Sequence, residues 1–170
     1  VMYYNKDLFD RYGVAYPEVG WDWGGFLDRA LDVSDPNADV YGYAIHYNSE
    51  FAVYEPAILI YQFGGRLFDN LANPTRVTFA DPLNVDAMEF YASLMHDHHV
   101  APTPEEIQQM GRPYPWRGIL EGRLGMWMTM YSDRGGRTWP QEWPMNWGIV
   151  PLPRGQMDAT LAMADGLFIS

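Results

Sequence analysis

The chain changes its hydrophobic period repeatedly, from a strand-like period of two to a helix-like period near 3.6, and back. In "GRLGMWMTM" (122–130) Leu124, Met126, Met128 and Met130 fall on one side, with Gly125, Trp127 and Thr129 on the other. In "GWDWGGFLDRALD" (20–32), by contrast, Trp23, Phe26, Leu27, Ala30 and Leu31 recur at helical spacing. Strands interleaved with helices imply an α/β layered domain, its sheet covered by helices. With 170 residues, 48% of them hydrophobic, the chain has enough material for one domain with a proper core.

Local signals mark the elements. "YYNKDLFDRYGV" predicts a strand and then a short helix, capped by Asn5 and stopped by Gly13. Asp22 is the expected N-cap of the helix over "WDWGGFLDRALD". "SDPNAD" predicts a turn and "VYGYAIHY" a strand. In "YEPAILIYQFGG", Pro56 suits a first helical position and Gly64 and Gly65 the stop, and the helix between is apolar nearly all round. "RVTFADP" predicts a short strand, after which Asp81 and Pro82 open a long helix to about His99. Its inner face is expected to carry Val85, Met88, Tyr91, Ala92 and Met95. Thr103 and Glu106 have capping-box spacing, and "WGIVPLP" predicts a last strand.

Charge and motif chemistry exclude several functions. The formal charge of −11 argues against nucleic acid, which needs clustered Lys and Arg to neutralise phosphates. The absence of Cys removes disulfides and thiolate metal sites. His96 and His99, three residues apart and so able to share a helix face, are better read as last-turn groups favouring the helix dipole than as metal ligands. The two "GGR" runs match neither a P-loop nor a dinucleotide fingerprint and predict turns, so no cofactor is expected. No nucleophile motif is present.

The order of seven segments resembles the extracellular solute-binding proteins of sugar-importing ABC transporters, the family that contains maltose-binding protein. They are "YYNKDLFDRYG", "GWDWGGFLDRALD", "QFGGRLFDN", "VTFADPLNVDAMEFYASLMHDHHVAPT", "ILEGRLGMWM", "WGIVPLP" and "ADGLFIS". The resemblance implies a single lobe of a two-lobed, type II periplasmic-binding-protein-like α/β fold, a mixed sheet flanked by helices. It makes 1–170 one domain, the second lobe, with hinge-strand ends near 1–4 and 166–170; the first lobe is not in this sequence. Non-covalent capture of a sugar or oligosaccharide between lobes, and delivery to the transmembrane subunits of an ABC permease, follow as expectations. So does a periplasmic or extracellular location, including a membrane-anchored lipoprotein form. Self-association through the face that other parts of such a protein would cover is also expected.

The resemblance places ligand contacts on loops at the hinge end of the lobe. Carried over residue by residue, it implies Tyr54 and Glu55 before the apolar helix, Tyr131 and Ser132 after the methionine-rich strand, and Asp165 and Gly166 at the return to the hinge. Glu55, Asp133, Arg134 and Asp165 are the candidates for the charged groups that sugar hydroxyls need. The stacking partner lies among Trp127, Tyr131 and Trp139. Residues 122–147 hold four tryptophans and four methionines. The methionines read as core, and the aromatics after Thr129 as a platform for the C–H faces of a sugar. Carboxylates among tryptophans also describe a glycoside hydrolase cleft, but the family order of segments and the lack of an acid/base pair argue against it. A stand-alone carbohydrate-binding module would usually be an all-β sandwich, unlike the helix-rich pattern here.

Overall fold

A computed structural model describes residues 1–46, 50–111, 114–136 and 142–162. Four strands form one sheet in the order β2-β3-β1-β4: β1 (Met2–Asn5), β2 (Tyr41–Ala44), β3 (Leu124–Met128) and β4 (Trp147–Val150). β1 is antiparallel to both β3 and β4, with Met2 opposite Met128 and Val150, while β2 and β3 run parallel. The sheet is therefore mixed. Around it lie α1 (Lys6–Tyr12), α2 (Trp23–Val33), α3 (Tyr54–Gln62), α4 (Pro82–His96), α5 (Pro104–Met110) and α6 (Trp116–Leu120).

The predicted caps form. The Asn5 side chain accepts from Leu8 N, and Gly13 ends α1 at φ 68°. Asp22 accepts from Gly25 N, and Thr103 and Glu106 make both halves of a capping box. Each satisfies an amide that the first turn of a helix leaves without a backbone partner.

Several expectations need correction. β3 does not alternate between core and surface, because all five of its residues are buried. One cluster of buried side chains, with Met2, Phe26, Tyr43 and Met126, packs with α1 to α4. A second, with Tyr3, Leu124, Trp127 and Trp143, packs with Ile119 of α6, a helix the hydrophobic pattern does not announce. "RVTFADP" makes only a single bridge, Phe68 to Val77. Two backbone bonds flank that bridge, Asp69 N to the Arg76 carbonyl and Thr78 N to the Leu67 carbonyl. The Asp69 carboxylate accepts from the amides of Asn70, Thr75 and Arg76, which closes the loop and ends the pairing there. The Thr75 hydroxyl, which also donates to Asp69, and then these amides hold the Asp69 carboxyl well below the usual carboxylate range.

In α4 the buried positions are Asn84, Ala87, Leu94 and Met95, whereas Val85 is exposed and Ala92 faces water. The face is rotated toward Asn84 because its side-chain amide bonds Arg66 and Thr78 beneath the helix. The helix ends at His96, and His99 adopts φ 51°, so the two histidines share no helix face. α3 begins at Tyr54 rather than Pro56, continuous with a 3₁₀ turn at Glu50–Val53.

α2 lies directly on β2. A Cβ added at Gly42 would collide with the Ala30 backbone, which cannot swing aside as a side chain does. Gly42→Ala is therefore expected to cost about 3 kcal/mol, the upper part of the usual range for overpacking. The urea midpoint should fall with an unchanged m-value; an unchanged midpoint would mean that α2 and β2 separate freely.

Candidate functional site

Three segments converge beside Val1, the residue preceding β1. From α3 come Tyr54, Glu55 and Ile58. The end of β3 and its continuation supply Met128, Thr129, Met130 and Tyr131, and Thr160 and Leu161 close the side. With His46 they line a cavity of 390 Å³. That volume lies within the range of small-molecule sites.

The wall after β3 is a tight turn with internal supports. The Thr129 hydroxyl donates to Asp133 Oδ2 at 2.5 Å, and Asp133 N donates to the Met130 carbonyl at 3.1 Å. Arg134 (φ −48°, ψ 126°) and Gly135 (φ 68°, ψ 15°) have the dihedrals of a type II turn, whose second position needs positive φ and hence Gly. Behind it the Tyr3 hydroxyl lies 3.2 Å from the carbonyls of both Met130 and Tyr131. Burial, then the charge of Asp133, pushes the Tyr3 phenol up to about 12, so it stays a donor across the physiological range. The Tyr131 backbone is thus held while its ring is 61% exposed, with the Arg134 guanidinium 4.9 Å from the ring centroid. A cation at that distance is attracted to the ring face.

The floor is polar and closed. Glu55 is 2% exposed, although the sequence places it where the chain leaves the core. Its carboxylate accepts from the Tyr43 hydroxyl (2.9 Å), the Tyr91 hydroxyl (2.7 Å) and His46 N (3.3 Å). His46 Nε2 is 2.9 Å from the Met128 carbonyl and 3.9 Å from Glu55 Oε1. Burial and the Glu55 charge push both tyrosines well above the ordinary phenol range. They therefore remain protonated donors to the carboxylate.

The structure brings Tyr54, Glu55 and Tyr131 to one cavity. Ser132 is exposed next to Tyr131, and Arg134 lies over the Tyr131 ring. Trp127 does not join them. It is 0% exposed, stacked on Tyr3 at 6.0 Å and edge-on to Trp143 at 5.0 Å, so it belongs to the core. Trp143, read as part of a platform, is buried beside it. Trp139, Asp165 and Gly166 lie outside the described residues. Sequence reasoning missed His46, Ile58, Thr160 and Leu161 as cavity lining. His46 carried a signal, since a histidine closing the otherwise apolar strand "VYGYAI" calls for a polar partner.

The whole chain, residues 1–170, matches the family model of the bacterial extracellular solute-binding proteins. The chain belongs to that family. As a solute-binding protein it has the fold of solved relatives. An ABC substrate-binding protein from Listeria monocytogenes, in complex with cycloalternan, matches with a TM-score of 0.79 and 26% identity, over 92% of this chain and 37% of that one. An ABC transporter solute-binding protein from Thermotoga lettingae, bound with α-D-tagatose, matches at 0.68 and 19%, over 94% and 40%. Maltose-bound MalE3 of T. maritima matches at 0.63 and 21%, over 91% and 38%. The chain thus spans less than half the length of these structures, and the four-stranded mixed sheet with its helices corresponds to part of each.

Proposed function

We propose that this chain is one lobe of the substrate-binding component of an ABC sugar importer. It captures a sugar or oligosaccharide non-covalently against a second lobe, outside the cytoplasm, and hands it to the permease. Residues 1–4, and 166–170 at the other end, serve as hinge strands in this reading. One observation carries it: Tyr54 and Tyr131, on elements far apart in sequence, line one cavity beside Val1. A sugar presents C–H faces that pack on such rings and hydroxyl edges that need polar groups. Ser132 and Arg134 stand at the rim beside Tyr131, and Asp165 and Gly166 complete the contacts proposed for this lobe. The Listeria relative, bound to cycloalternan, supports the same ligand class.

No covalent chemistry is assigned to the cleft. Glu55 and Asp133 already accept hydrogen bonds from the protein's own hydroxyls, an arrangement that suits structure better than proton transfer.

Saturation-transfer NMR with maltose and with cycloalternan tests the reading. Transfer to sugar protons is expected with the wild-type chain, and its loss with Tyr131→Ala. Sugar signals that respond equally in wild type and in a Tyr54→Ala, Tyr131→Ala double variant would place binding elsewhere. Release of chromophore from chromogenic glycosides would revive the hydrolase.

A further inference from the structure

Glu55 has the sequence position of a ligand contact and the surroundings of an internal tie. A carboxylate offers about four acceptor positions. Three are taken: by Tyr43 of β2, by Tyr91 of α4 and by the amide of His46. The His46 ring continues the connection, because its Nε2 meets the Met128 carbonyl at the end of β3. Tyr54 immediately precedes Glu55, and Tyr131 follows Met128 by three residues. One buried group therefore links the two walls of the cavity.

Stability alone does not call for a charge here. A well-packed apolar side chain commonly serves as well as a buried ionic network, or better. What the network adds is a fixed geometry between α3 and the end of β3. We infer that Glu55 is a positioning residue of the cleft, holding Tyr54 and Tyr131 in place through Tyr43, Tyr91 and His46 rather than accepting ligand hydroxyls. The inference rests on the sugar-cleft reading above for its function, and on the hydrogen-bond network for its geometry. Tyr91 provides an independent handle, because it donates to Glu55 without lining the cavity.

The test is methionine-methyl and aromatic-ring NMR on the full chain, as wild type, Glu55→Gln and Tyr91→Phe, each with far-UV circular dichroism. Without sugar, both variants are expected to keep the wild-type dichroism while shifting the Met130 methyl and Tyr131 ring signals across the cavity. In titrations with maltose and with D-mannitol, both variants should weaken both ligands by the same factor. Roughly fivefold is the scale for residues coupled to a site they do not touch. If Glu55→Gln fails to fold, Tyr91→Phe decides alone. Unchanged Met130 and Tyr131 signals would overturn the inference. So would selective loss of one ligand in Glu55→Gln with Tyr91→Phe silent, the mark of a direct hydroxyl contact. The titrations extend well above ~1 mM ligand, the scale expected for one lobe alone. If a protein carrying both lobes also binds neither ligand, the sugar-cleft reading falls, and the sugar-free spectra still decide the role of Glu55.

Discussion

Trp127→Ala is expected to lose about 3–5 kcal/mol of stability, the range for truncating a large buried aromatic. Set against a total of about 5–15 kcal/mol for a domain, that loss leaves the chain marginal. The melting temperature should fall by roughly 10 °C or more. The ring is fully buried in β3 between Tyr3 and Trp143, where removal opens a cavity that the flanking aromatics and sheet cannot close. Trp127→Phe should cost less, about 1–2 kcal/mol, because the smaller ring fills most of the space and leaves only part of the cavity. A second effect lowers the cost: the indole Nε1 is buried with no acceptor among the described residues, so replacing it removes an unsatisfied donor. Thermal and urea unfolding of the two variants check this. A stable Trp127→Ala protein that has lost sugar binding would return Trp127 to the ligand site.

Trp127 also shows where sequence reading reached its limit. An alternating strand predicts one covered face, and Trp127, on the other face, therefore stands among the candidate stacking partners. Tyr3, Trp143 and α6 cover that face instead, and they come from places that periodicity within β3 does not specify. Long-range pairing has the same character. That Met2 lies opposite both Met128 and Val150, putting β1 inside the sheet, is decided by packing across the whole chain. Caps were legible because they depend on residues three apart: Asn5 with Leu8, Asp22 with Gly25, Thr103 with Glu106. Segment 76–79 was misread for the opposite reason. Its β-prone residues pair only briefly, through the Phe68–Val77 bridge, because the Asp69 carboxylate takes the amides of Thr75 and Arg76 just before them. At the cavity, Tyr54 and Tyr131 were found through the resemblance of the segments around them. His46 carried a signal that went unused, and the burial of Glu55 carried none, because hydrogen bonds between β2, α3 and α4 leave no local pattern.

The largest expected effect concerns affinity. A two-lobed binder with a dissociation constant of ~1 μM has about −8 kcal/mol distributed over both faces. If this lobe supplies roughly half of the contacts, about −4 kcal/mol remains, which corresponds to ~1 mM. The value for this chain alone should be weaker still. An open face leaves one side of the ligand in water, and most of the association entropy is lost however many contacts form. Tyr131 is 61% exposed, as a wall waiting for a facing surface would be. Titration calorimetry with maltose and cycloalternan, on this 170-residue chain and on a longer protein carrying both lobes, tests the account most directly. It predicts binding near ~1 μM for the two-lobed protein and at ~1 mM or weaker for this chain, a difference of about a thousandfold. Micromolar sugar binding by residues 1–170 alone would contradict it and make this chain a self-sufficient carbohydrate-binding module.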